Sequence, residues 1–221
     1  MLNNVEQAKI AISNSYDKIV SDCRKVLGSE LHYQAMIYHV LRIEGLVSVE
    51  QIGMNVKTTI KHVKTQFLKD RIAKKNMNYQ SDGIEIIPDI SIYHNSINAD
   101  WRRRNFENTL KHTLYSLEIK ASERQNGRLT FSEIKEDVLK LKAQFDETKL
   151  KHGIEIGLGV MIIDIAPTDE ERMKLKTLEE VINLTKEHDV DLWYFNREKQ
   201  IGQGGYTLDD SELEEGIYKR K

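Results

Sequence analysis

Cysteine is nearly absent from this 221-residue chain: Cys23 stands alone, which excludes an internal disulfide and any zinc site built on several thiolates. No apolar run approaches the ~20 residues that a bilayer-spanning helix needs. The opening residues, Met1-Leu2-Asn3-Asn4-Val5-Glu6, show neither the basic nor the apolar stretch of a signal peptide. Proline occurs twice, and no low-complexity segment or internal repeat is visible. Hydrophobic residues, at 39%, are too many for a disordered chain, and charged residues, at 31%, are too many for a membrane protein. A globular, cytoplasmic protein is expected, with no membrane partner, large enough to bury roughly 70% of its unfolded surface.

The net charge of −2 is unevenly spread. Residues 1–56 carry 5 Lys/Arg against 6 Asp/Glu, residues 57–151 carry 19 against 13, and residues 152–221 carry 9 against 16. A basic middle in an acidic chain suggests a polyanionic partner for that part. The plainer reading is a set of solvated lysine-rich faces.

Val5, Ala8, Ile12, Tyr16, Ile19, Cys23 and Val26 recur in steps of three and four, the stripe of an amphipathic helix. Cys23 falls on that stripe as a packing residue. Gly28 closes the helix, and Ser29 caps a second one over residues 30–43. Residues 46–80 are ambiguous between short strands and a helix, with a weak helix-turn-helix match over 49–63. Residues 84–93 read as a strand interrupted at Pro88, and residues 113–121 as another. Ser132 is expected to cap a charged helix carrying Ile134, Val138, Leu141 and Phe145 and ending near Gly153. Residues 154–165 are nearly all apolar, as in a strand buried on both faces. Pro167 breaks it, a helix follows over 169–188, and a last strand spans 190–195. This order predicts an α/β fold, a mixed sheet flanked by helices with an N-terminal helical extension. It predicts one domain over residues 1–198, with an N-terminal helix over 1–28 and a core over 29–165. A flexible tail is expected over 199–221.

Asp89 in Pro88-Asp89-Ile90-Ser91-Ile92-Tyr93 and the pair Glu118, Lys120 in Leu117-Glu118-Ile119-Lys120-Ala121 carry the chemistry. Residues two apart on a strand share a face, so Glu118 and Lys120 point the same way. If the two strands pair, two carboxylates and an ammonium converge. A divalent cation removes the repulsion between the acids, and oxygen ligands of this kind suit Mg²⁺ or Mn²⁺. The lysine can then orient or deprotonate a water. Acid-x-lysine recurs at Glu133-Ile134-Lys135 and Glu147-Thr148-Lys149. Both lie in the predicted helix, where positions two apart diverge by about 200°. Asp137 and Lys140, on the same helix, could support such a site, but a solvated face is the plainer reading. Gly202-Gln203-Gly204-Gly205 lacks the strand and the Gly-Lys-Ser/Thr of a phosphate loop.

Pro88-Asp89, then Glu118-Ile119-Lys120, then an amphipathic helix and a buried strand, resembles the PD-(D/E)xK nuclease superfamily over roughly residues 29–165. The resemblance implies a restriction-endonuclease-like αβββαβ core and a Mg²⁺-dependent (endo)deoxyribonuclease acting on DNA in restriction, defence or repair. It implies Asp89 and Glu118 as metal-binding acids, the Ile119 carbonyl as a further metal ligand, and Lys120 as the residue that positions the attacking water. Members often place another acid on a preceding helix. Glu30 is the candidate, sharing a stripe with Gln34, Ile37 and Leu41; alternatively it only favours the helix N-terminus.

Between the two strands, residues 94–112 contain Trp101-Arg102-Arg103-Arg104. The segment is expected to emerge next to the site, its arginines gripping phosphates and Trp101 stacking on a base or wedging a groove. The alternative is a surface excursion with its tryptophan packed on the domain. For the whole chain, the alternative is a catalytically inactive nuclease fold that binds nucleic acid or protein. The long N-terminal stripe also offers a homodimer face.

Overall fold

A computed structural model describes residues 1–74 and 83–202. Helix α1 (Val5–Cys23) starts where Asn4 Oδ1 accepts the Gln7 N–H at 2.8 Å. Its stripe is buried, with Ala8, Ile12, Ile19 and Cys23 at 0% exposure. The Tyr16 hydroxyl donates to the main-chain carbonyl region shared by Tyr194 and Ile201, at 2.6 and 2.7 Å. Helix α2 (Glu30–Ile43) is capped by Ser29 and packs Tyr33, Ile37, Val40 and Leu41 into the same cluster as α1. The expected N-terminal extension is therefore a layer of the core. Its apolar stripe is covered within the chain, so it offers no free face to a second copy.

The ambiguous stretch holds a 3-10 turn (Val49–Gln51), then β1 (Ile52–Met54), β2 (Thr58–Ile60) and α3 (Gln66–Lys74). Strands occupy the place where a helix-turn-helix was considered. Strands of three residues show too few alternations to reveal a period of two. β3 (Ile84–Ile86) pairs with β2 as a separate two-stranded sheet, whereas β4 (Ile90–Tyr93) joins the main sheet. The interrupted strand read over residues 84–93 is thus two strands in two sheets. Pro88, which has no N–H for a ladder, sits at the crossing.

A helix, α4 (Phe106–Lys111), lies in the basic connection that leads to β5 (Thr113–Ala121). α5 (Phe131–His152) then leads to β6 (Gly157–Asp164), and α6 (Leu175–Glu187) to β7 (Asp191–Asn196). Thr130, not Ser132, caps α5: its N–H donates to Glu133 Oε2 at 2.9 Å in a reciprocal capping box. Gly153 ends α5 in the left-handed region, at φ 66°. α6 starts later than the sequence suggested. The residues before it are held as a loop by Asp164, which accepts the Met173 N–H at 3.1 Å. The expected tail begins inside the sheet, because β8 (Gln200–Ile201) pairs antiparallel with β7 and Ile201 is buried. Residues 203–221 lie outside the described residues.

The main sheet runs β1-β4-β5-β6-β7-β8. The β5–β6 and β6–β7 pairs are parallel and the others antiparallel, so the sheet is mixed. Alternation along the strands sends Leu117, Ile119, Met161 and Ile163 toward α1 and α2. Val160, Ile162, Leu192 and Tyr194 pack with α5 and α6 on the other face. Among the described residues no helix is long and apolar enough to cross a membrane.

Candidate active site

The β4–β5 ladder pairs Ile90 with Leu117 and Ser91 with Ser116, so one further step sets Asp89 against Glu118. β5 continues past that point without a β4 partner. There the Ile119 N–H donates to Asp89 Oδ2 at 2.6 Å. The other oxygen, Oδ1, accepts from Gln34 Nε2 at 2.8 Å. Gln34 Oε1 in turn accepts from Asn55 Nδ2 at 2.9 Å, and the Asn55 N–H donates to the Asp89 carbonyl at 3.0 Å. Asn55 can reach both because it sits in the left-handed region, at φ 54°. Asp89 is therefore fixed by α2, by the turn after β1 and by β5 together.

Glu118 and Lys120 project from β5 toward α5. Glu118 is 2% exposed, with Oε2 at 2.9 Å from Lys140 Nζ. Its Oε1 is buried with no hydrogen-bond partner. Lys140 Nζ is also 2.9 Å from Asp137 Oδ1, and Asp137 Oδ2 is 3.0 Å from Lys120 Nζ. Lys120 Nζ lies 3.3 Å from Glu30 Oε2. The result is a ladder of alternating charge: Glu118, Lys140, Asp137, Lys120, Glu30. Asp137 and Lys140 are not the solvated face read from the sequence. Three residues apart on α5, they share the side of the helix that carries the buried Ile134 and Leu141.

Four carboxylates (Glu30, Asp89, Glu118, Asp137) meet two ammonium groups here. Fully ionised, the cluster has two negative charges in excess. Burial, reinforced by Asp89 and Asp137 against the pull of Lys140, pushes Glu118 up to about 8. Burial also raises Asp89 and Glu30 above the ordinary carboxylate range. Burial works to lower both lysines, but the acids around them outweigh it, so Lys120 and Lys140 are raised. These groups lie beside an open cleft of 270 Å³ lined by Glu30, Lys120, Glu123, Arg124, Glu136 and Asp137, among others.

Among the described residues, no group of three or more His, Cys, Asp or Glu side chains is arranged to hold a metal ion. The donor set nevertheless suits a hard divalent cation. It supplies carboxylate oxygens only, an excess of negative charge, and one buried carboxylate oxygen without a partner. Asp89, Glu118, Lys120 and Glu30 all join this site, and Ile119 touches it through its N–H.

The basic segment lies elsewhere. β4 runs away from Asp89, and the connection re-enters at Thr113, five residues before Glu118, or roughly 16 Å along an extended strand. Trp101 stacks on Tyr93, with centroids 5.6 Å apart and planes at 14°. Arg102 is clamped by Asp100 through two bonds of 2.7 Å, and Arg103 by Glu85. Arg104 is exposed. The two other acid-x-lysine pairs have structural partners. Glu133 belongs to the capping box, and buried Glu147 accepts the Lys64 and Thr65 N–H groups, each at 2.7 Å, at the start of α3.

Gln34 is a site residue the sequence reading did not assign, and Asp137 and Lys140 are two that it weighed but placed on a solvated face. Asp137 had a signal: it falls in the apolar register of Ile134, Val138 and Leu141, where an acid needs a partner. No protein-family model matches the chain, and no significant match is found among curated proteins or solved structures.

Proposed function

We propose that this chain is a Mg²⁺- or Mn²⁺-dependent nuclease that hydrolyses phosphodiester bonds in DNA, on a core similar to that of PD-(D/E)xK nucleases. The observation that carries the reading is the meeting of Asp89, Glu118 and Lys120 at the split end of β4 and β5, in a buried cluster with more carboxylates than cations. The element order α2, β1, β4, β5, α5, β6 fits an αβββαβ core.

In this reading Asp89 and Glu118 hold the cation, with the Ile119 carbonyl as a further ligand and Glu30 nearby. The cation supplies Lewis-acid stabilisation of the phosphate and a more acidic bound water. Gln34 keeps the Asp89 carboxylate turned toward the edge of β5. Lys120, held by Asp137 and Glu30, directs its ammonium at the water or at a phosphate oxygen. The reverse face of β5 is packed core and supports the strand from behind.

The test is cleavage of supercoiled and linear DNA by the purified chain with Mg²⁺ or Mn²⁺, stopped by a chelator. Asp89→Asn and Lys120→Met should each abolish cleavage with the circular dichroism spectrum retained. Cleavage by the double variant at the wild-type rate would refute the site. The alternative, an inactive nuclease-fold module, has one observation in its favour: both Asp89 oxygens and Glu118 Oε2 already have protein donors. DNA binding by the wild type with no cleavage in either metal would favour it.

A further inference from the structure

Lys140 holds the acid to which the nuclease reading assigns a cation. Its Nζ lies at equal distances, 2.9 Å, from Glu118 Oε2 and Asp137 Oδ1. Its side chain is only 18% exposed. Glu118 Oε1 is free to take a divalent cation, but a cation there lies within a few ångströms of the ammonium on Oε2, and the two repel each other. The second anchor makes release local. Asp137 is three residues away on the same helix and also lines the cleft. A lysine stem attached there can swing its head without moving the backbone. Lys120 has no such freedom, because it is held between Asp137 and Glu30 at 3.0 and 3.3 Å.

We infer that Lys140 is the resident partner of Glu118, that it leaves Glu118 when a divalent cation binds, and that it then meets a DNA phosphate beside the cleft while still tethered by Asp137. The inference rests on the nuclease reading and adds a second, mobile ammonium beside the fixed one. No covalent bond between heavy atoms is made or broken: the cation replaces Lys140 at Glu118, and the proton that the buried carboxyl holds goes to solvent. The exchange gives the site a reason to hold two lysines. One sets geometry, and the other occupies Glu118 until the cation arrives and afterwards compensates the substrate.

Two measurements on the full chain test this. The first is labelling by an amine-reactive reagent, read by mass spectrometry, with and without excess Mg²⁺. Lys140 should label severalfold faster with Mg²⁺, while Lys69, exposed on α3, should not change. Unchanged or slower labelling of Lys140, in a protein that calorimetry shows to bind Mg²⁺, would overturn the exchange and leave the nuclease reading standing. Absence of any Mg²⁺ or Mn²⁺ binding would overturn both.

The second measurement is duplex DNA affinity against salt in Mg²⁺, in a Lys120→Met background that prevents cleavage. Adding Lys140→Met should reduce the slope of log K against log salt by ~0.9, the value for one phosphate contact. An unchanged slope would show that Lys140 never reaches the phosphate.

Discussion

Asp137 and Lys120 form an ion pair, Oδ2 to Nζ at 3.0 Å, that joins the middle of a helix to the end of a strand. It is not a surface pair, since the two side chains are 11% and 19% exposed. Without it, the Lys120 head loses its anchor on α5. Asp137→Asn should lower kcat by ~10²-fold, the order expected for a misplaced catalytic group. Cation binding by calorimetry should change little. Loss of folding in this variant, seen by circular dichroism, would assign Asp137 a structural role instead.

Stability should depend on pH through Glu118. Its carboxyl is raised from 4.5 to about 8, chiefly by burial. Between these values the native state keeps a proton that the unfolded chain has lost. The metal-free protein should therefore lose stability as pH rises from about 4.5 to about 8. Glu118→Gln, which cannot ionise, should flatten that slope and exceed wild type in urea at about pH 8.5. Parallel slopes in the two proteins would refute the buried, proton-binding carboxyl.

Gln34 links three groups, donating to Asp89 and accepting from Asn55. Gln34→Leu keeps the volume and removes both bonds. It should cost ~1–3 kcal/mol in urea unfolding and weaken Mn²⁺ binding, because Asp89 is no longer aimed. Wild-type Mn²⁺ affinity in this variant would show that the Ile119 N–H alone orients the carboxylate.

Glu147→Ala should separate folding from chemistry. It deprives the Lys64 and Thr65 N–H groups of their acceptor at the start of α3. A cost of ~1–3 kcal/mol is expected, with cleavage per folded molecule unchanged. A loss of cleavage in molecules that remain folded would place this acid-x-lysine pair in the site.

Trp101 and its arginines divide by the same logic. Trp101→Ala should lower stability, because the ring stacks on buried Tyr93. Changing Arg102, Arg103 and Arg104 together to alanine should reduce the salt slope of DNA binding by ~0.9 for each phosphate they contact. No change in slope would leave them as a solvated surface, with Arg102 and Arg103 paired to acids.

Much of this architecture was legible because its periods are long. The α1 stripe spans five turns, β5 shows nine residues of strand pattern, and β6 is an apolar run. Strand parity then placed Glu118 with Lys120, and the ladder brought Asp89 beside them. What stayed hidden is short or non-local. β1, β2 and β3 are three residues each, and nothing local says that β3 and β4 belong to different sheets. The Asp137–Lys140 pair was misread because an acid and a lysine at helical spacing usually face water. Only the tertiary approach of α5 to β5 turns that pair inward. The basic segment was misplaced for a similar reason: an antiparallel pair puts its connection at the end remote from the first strand's start.

The overhang of β5 beyond β4 also bears on how this protein behaves in concentrated solution. A strand that outlasts its neighbour presents unused main-chain donors and acceptors, the template on which another chain can add itself and begin to aggregate. Here the Asp89 side chain accepts the Ile119 N–H at 2.6 Å and takes that donor out of reach. The carboxylate assigned to the cation thus also guards a sheet edge. A variant made to silence the site should keep that acceptor: Asp89→Asn retains a side-chain oxygen for Ile119, whereas Asp89→Ala uncovers the edge and invites self-association.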